Sequence, residues 1–200
     1  MIETLDQLDK ALFLFVNMTL ANPVTDWFMP IMTGDNFLRI GWLLCMIAML
    51  IWGDKRLRWL VLASVVVLAL TNHLSAEMLK KWIERPRPCH IMDNINLLVG
   101  CGGGYAMPSA HAANSWGQAI LFGLVTPRVR WPLAIIAFLV TISRVFVGVH
   151  YPFDVTAGAL LGAAVGLAVA YWSGRVLGGP PAHGVPLWER SKKNSEKKEA

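Results

Sequence analysis

Apolar runs close to membrane-spanning length alternate with short polar junctions along most of this chain. Crossing the hydrocarbon of a bilayer takes about 20 helical residues, with a range of about 17 to 25. Five segments reach or approach that length: Asn36–Trp52, Leu57–Leu79, Ser109–Val125, Trp131–Val147 and Phe153–Trp172. Ahead of them, Leu5, Leu8, Leu12 and Phe15 recur at helical spacing opposite Asp6, Asp9 and Lys10. That pattern suits an interfacial amphipathic helix, with a sixth crossing built from this and the following segment as the alternative. The expected fold is all-α: a polytopic transmembrane helix bundle of about five to six spans behind an N-terminal amphipathic helix. Residues 1–35 form the interfacial segment, 36–175 the transmembrane unit, and 176–200 a disordered basic tail.

Composition agrees. The chain is 55% hydrophobic and 16% charged, against about a quarter charged in soluble domains. Nine Trp residues fit an interfacial belt or the inside of a bundle. The net charge of +5 owes much to the tail RSKKNSEKKEA, where acids interrupt the bases, so nucleic acid is not an expected partner. The opening MIETLDQLDK carries acids where a signal peptide would carry bases. Cys45 sits in an apolar run and reads as a small buried hydrophobe. Cys89 and Cys101 flank a polar loop and can pair if it faces an oxidising compartment.

Charge in the loops orients the spans. Lys55, Arg56 and Arg58 follow the first clear span; Arg128 and Arg130 follow the third. With alternating spans these and the Lys-rich tail share one side, which the positive-inside rule makes cytoplasmic. The opposite side receives the long loop 82–107 and the junction 147–151. Lys80, Lys81, Arg85 and Arg87 then fall on the outside, against the rule, and anion binding is the reason to suspect.

Three polar clusters meet at that face. In KKWIERPRP, Lys80 and Arg87 are two helical turns apart, and Pro86 and Pro88 should end the helix near Arg85. Read alone, this is a snorkelling basic helix end or an anion site. In MPSAHAANS, Ser109 is a natural N-cap, and the helix start it opens is either an ordinary cap or an attractor of anions. In SRVFVGVHYPFD, His150 and Asp154 are four apart and form either a structural ion pair or a base held by a carboxylate. Together the clusters offer Lys80, Arg87 and Arg144 as cations, His111 and His150, Asp154, and the Ser109 hydroxyl. That inventory matches a phosphoryl group better than a singly charged carboxylate. Asn72, His73, Glu77, Asn114, Ser115 and Gln118 lie deeper and read as interhelical hydrogen bonding, with Glu77 pairing with Lys80 or Lys81.

These residues resemble the type 2 phosphatidic acid phosphatase superfamily. Its motifs Lys-x6-Arg-Pro, Pro-Ser-x-His and Ser-Arg-x5-His-x3-Asp are matched by Lys80-x6-Arg87-Pro88, Pro108-Ser109-Ala110-His111 and Ser143-Arg144-x5-His150-x3-Asp154. One departure is Ala110, where the family usually has Gly. The resemblance implies a phosphatase without cofactor or metal, acting through a phosphohistidine. On it His150 attacks, Asp154 holds its other ring nitrogen, and His111 handles the proton. Lys80, Arg87, Ser109 and Arg144 hold the phosphate. A zinc site on His111, His150 and Asp154 is the internal competitor, disfavoured by the three cations. The setting implies a lipid phosphate in the bilayer, met at the periplasmic face of a bacterial inner membrane, with the C-terminus cytoplasmic. RPRP and GVHYP resemble bacterial members of the family. Undecaprenyl diphosphate leads as substrate, ahead of phosphatidylglycerol phosphate, phosphatidate and lipid A 1-phosphate. A lipid phosphotransferase, or a channel or transporter using the same polar groups, is the alternative.

Overall fold

The computed structural model describes residues 2–176. Beyond residue 176, the tail expected to be disordered lies outside them. Helix α1 (Ile2–Leu14) runs into a π-helical turn (Phe15–Thr19) and is followed by α2 (Pro23–Thr33). Asn22 starts α2 by accepting from the amides of Val24 and Thr25, and the Thr25 hydroxyl answers the Asn22 amide, a reciprocal cap with Pro23 just inside. Then come α3 (Asp35–Trp52) and α4 (Lys55–Asn72), the latter capped by Asp54 through the amides of Arg56 and Leu57. A π-helical stretch (His73–Leu79) extends α4 into α5 (Lys80–Ile83), which stops at Glu84 in a left-handed turn, φ 52°. The short α6 (Pro88–Ile91) opens the long loop. Beyond it lie α7 (Ala110–Val125), α8 (Arg130–Phe146) and α9 (Pro152–Val176).

Helix α7 is the centre of the bundle, with α4, α8 and α9 packed around it. Leu60, Ala63 and Val67 of α4 meet Leu121 of α7 and Val165 and Val169 of α9 in the larger core. The α7–α9 seam is made by absence of side chains. A Cβ on Gly158 or Gly162 would overlap the carbonyl oxygen of Ser109 or Ala113, and one on Gly166 would stand 2.6 Å from that of Gly117. Backbone approach of this kind is how helices associate where lipid removes the hydrophobic drive between them. A smaller core of Phe13, Ala112, Val145, Tyr151 and Val155 lies under the polar clusters.

Among the described residues, three helical stretches are long and apolar enough to cross a membrane: Lys55–Ile91, Pro127–Phe146 and Pro152–Arg175. The bent pair Pro23–Thr33 and Leu38–Trp52, 48° apart, makes a fourth if it counts as one span. The expected five to six spans are therefore not confirmed among the described residues. The Ser109–Val125 segment forms a helix of 16 residues, about 24 Å at the usual rise, short of a hydrocarbon core of about 30 Å. As the central helix it is shielded by its neighbours. Cys45, expected to be buried, is exposed on the outside of α3.

Helix α1 is inverted relative to a soluble amphipathic helix. Leu5, Leu8, Leu12 and Phe15 are 40–51% exposed, whereas Asp9 and Phe13 are fully buried. Its apolar stripe faces outward and its acidic side faces the bundle.

Candidate functional site

The approach to His150 is set by how α8 ends. The amide of Val147 still bonds the Ser143 carbonyl at 2.9 Å, but those of Val149 and His150 both return to the Arg144 carbonyl at 3.2 Å. This fold-back needs Gly148 at φ +86°, where a side chain would also meet the Asn96 carbonyl oxygen at 2.9 Å. His150 is thereby turned inward, 2% exposed, next to Asp154 at 0%. Asp154 stands in the first turn of α9, behind Pro152.

His150 Nδ1 lies 3.6 Å from Asp154 Oδ2. The same oxygen accepts the Tyr151 amide at 2.8 Å, so the carboxylate is fixed by its own turn. The Ser109 amide donates to the Asp154 main-chain carbonyl at 3.0 Å, which ties the start of α7 to the start of α9. Ser109 occupies the N-cap position of α7, but its hydroxyl makes no capping bond. This corrects the expected side-chain cap: the hydroxyl is buried and lacks a hydrogen-bond partner. A polar atom desolvated in this way costs free energy until something bonds it.

The cations arrive from three directions. Arg87 is held by carbonyl oxygens of the long loop: Nε donates to Gly104 at 3.2 Å, Nη1 to Cys101 at 3.1 Å and Nη2 to Gly103 at 3.4 Å. That loop is closed by a Cys89–Cys101 disulfide. Arg144, at the last turn of α8, bonds the Thr33 hydroxyl through Nη1, which brings the end of α2 to the site. Burial first, then the charges of Arg144, Arg87, Lys80 and His111 in that order, hold the His150 imidazole well below its ordinary titration range. His150 is therefore neutral at pH 7. The fold thus brings Lys80, Arg87, Arg144 and His111 within electrostatic reach of His150, and leaves Lys81 outside that group.

Other residues were not foreseen. Arg85 Nη1 bonds Asp154 Oδ1 at 2.8 Å and pairs with Asp9 Oδ2 at 2.7 Å, while Nη2 reaches Asp6 Oδ1 at 3.2 Å. Its guanidinium also lies over the Tyr151 ring, 4.2 Å from the centroid. Asp9 Oδ1 accepts the Phe153 amide at 2.9 Å and so helps cap α9 from another helix. The available signal was Asp9 itself, an acid on a helix at the membrane, which calls for a partner.

Deeper polar residues join α4 to α7. Asn114 accepts from Thr71 and donates to Asn72 at 3.0 Å; Gln118 accepts from the Ser64 hydroxyl at 2.6 Å. Glu77 pairs with Lys81 at 2.7 Å, away from the site. Among the described residues, the cluster of potential metal donors is Cys89, His90 and Cys101. Its two sulfurs are bonded to each other and offer no thiolate. His111, His150 and Asp154 do not form such a cluster.

Comparison with known proteins identifies the family. The model of the PAP2 superfamily matches residues 58–177. Lipid A 4'-phosphatase of Bacteroides thetaiotaomicron is 37% identical over 175 residues, covering 81% of this chain and 75% of that protein. Undecaprenyl-diphosphatase of Sulfolobus acidocaldarius is 38% identical over 104 residues, 52% of this chain and 48% of that one. The crystal structure of a PAP2-type phosphatidylglycerolphosphate phosphatase from Bacillus subtilis shares the fold, with a TM-score of 0.71 at 24% identity over 86% of this chain and 88% of that one. The family match runs through all three polar clusters and most of the bundle around them: the chain belongs to the PAP2 superfamily.

Proposed function

We propose that this protein is a lipid phosphate phosphatase that works through a phosphohistidine and needs no metal. The observation that carries the reading is a buried His150 beside Asp154, with Arg144, Arg87 and Lys80 lowering its affinity for a proton. With Nδ1 turned to Asp154, the opposite ring nitrogen, Nε2, is the nucleophile. It forms a P–N bond as the P–O bond to the lipid or lipid-phosphate leaving group breaks. His111 gives that oxygen its proton. His111 then takes a proton from water, which attacks phosphorus, and the P–N bond breaks to release orthophosphate. Asp154 stabilises the positive charge that grows on His150. Lys80, Arg87 and Arg144, with the Ser109 hydroxyl, bind the phosphoryl oxygens and supply the positive charge a metal would otherwise bring.

The site opens, in this reading, on the periplasmic face, with the C-terminus cytoplasmic, as the Lys and Arg of the short loops direct. Undecaprenyl diphosphate is the leading substrate. A lipid A phosphate is the second reading, favoured by the longer match, 81% of this chain, to a lipid A 4'-phosphatase.

Purified protein in detergent, given a panel of these lipids with and without EDTA, should release phosphate equally in both. His150→Ala should lose turnover and the acid-labile phosphate label on the protein together. Substantial activity in His150→Ala would falsify the nucleophile assignment, and activity lost to EDTA and restored by Zn²⁺ would end the metal-free one.

A further inference from the structure

Asp6, Asp9 and Arg85, which the phosphate chemistry does not use, form a cluster with Asp154, which it does. Asp9 and Asp154 are both fully buried, come from helices at opposite ends of the chain, and meet the same nitrogen of Arg85. In a low-dielectric interior two facing carboxylates repel strongly, and a shared cation is what lets both stay ionised. Arg85 has its charge taken up by acids: Nη1 serves Asp9 and Asp154, Nη2 serves Asp6, and the guanidinium lies over Tyr151.

We infer that Arg85 and Asp9 are positioning residues for Asp154 and, through it, for His150. This rests on the reading of His150 as nucleophile. Arg85 fixes one Asp154 oxygen and keeps the carboxylate charged, leaving the other for the Tyr151 amide and the imidazole. Asp9 completes the arrangement from α1: it pairs with the same Nη1 of Arg85 and accepts the Phe153 amide in the first turn of α9. The N-terminal helix is thus part of the reaction centre and not only an anchor. Without Arg85, Asp9 and Asp154 face each other uncompensated, and Asp154 swings away or takes up a proton. In either case it no longer orients His150. Removing Asp9 as well leaves Asp154 without its repelling neighbour.

The test is a charge-balance cycle on the full-length protein in detergent. Lipid phosphate hydrolysis is measured for Arg85→Met, Arg85→Lys, Asp9→Asn and the Asp9→Asn/Arg85→Met double variant, with His150→Ala alongside. Arg85→Met should lower kcat about 10²-fold with KM nearly unchanged, in the range for loss of an orienting partner. Arg85→Lys should keep most activity, and the double variant should recover about tenfold over Arg85→Met. A role in packing alone would not be relieved by removing a second charged group. The inference is overturned by an Arg85→Met enzyme close to wild type, by a loss falling in KM, or by a double variant no faster than the single. If Arg85→Met cannot be recovered folded, the double variant decides. Folded with activity within about tenfold of wild type it supports the inference; folded and inactive it overturns it. Failure of the underlying reading looks different: His150→Ala would itself remain active.

Discussion

Arg85 and Arg87 stand two residues apart in the same RPRP stretch, and their surroundings are opposite. Arg87 is gripped by the carbonyl oxygens of Cys101, Gly103 and Gly104; Arg85 is gripped by the carboxylates of Asp6, Asp9 and Asp154. Carbonyl dipoles fix a guanidinium without cancelling its charge, whereas carboxylates cancel it. Arg87 therefore still presents a positive charge to an incoming anion, while Arg85 has its charge absorbed within the protein. In the orientation that loop charge predicts, both fall on the outer face, against that same rule. The rule detects buried electrostatic work without saying whether its object is a ligand or the fold.

Breaking the Arg87 side should have the largest effect. Arg87→Ala should cost about 10³-fold in kcat/KM for lipid phosphate, as loss of one donor to the transferring group does. Product inhibition by inorganic phosphate should weaken with it. If instead phosphate inhibition is unchanged, Arg87 does not face the anion and the contrast with Arg85 collapses. The Arg85 series comes next, smaller and confined to kcat.

A milder disturbance separates the grip on Arg87 from its charge. Cys89→Ser/Cys101→Ser opens the loop whose carbonyls hold the guanidinium. KM should rise about two- to tenfold, roughly the worth of a neutral hydrogen bond, with kcat little changed. A change confined to kcat would mean that the loop acts elsewhere. The smallest effect is one of pH. His150 is held neutral below its ordinary range, so it takes its proton only at lower pH than a free imidazole. The acidic limb of kcat/KM should accordingly lie below about pH 6.5. Conversely, the unfolded chain binds that proton first, so stability falls as pH drops through the same value. An acidic limb above pH 6.5 belonging to His150 would contradict its burial among cations.

Much of the site could be read from the chain because it depends on spacing. A seven-residue step carries Lys80 to Arg87, and a four-residue step carries His150 to Asp154. Local geometry could also be anticipated at Pro86, which disfavours helical backbone at the residue before it. What could not be read is direction. Periodicity defines two faces on α1 but not which one turns inward; in water the leucines would go in, and here Asp9 does. Ser109 has the right residue type for a cap, yet its hydroxyl points elsewhere. The crossing expected of α7 is not confirmed, because its 16 residues fall short of the usual length while α4, α8 and α9 surround it. Thr33 on Arg144 was beyond reach, being a contact across 111 residues with no pattern attached.

The Asp9–Arg85–Asp154 cluster also has a chronology. A chain is made from its N-terminus, so Asp6 and Asp9 exist first, Arg85 follows, and Asp154 is added long after. When Arg85 reaches the bilayer its counter-charges are already waiting, and it enters as a neutralised pair and not as a bare cation. Asp154 joins an occupied guanidinium last, as α9 is inserted. Arg144 and His150 belong to that same late segment, so in the proposed reading the last phosphate-binding charge and the attacking histidine are made together.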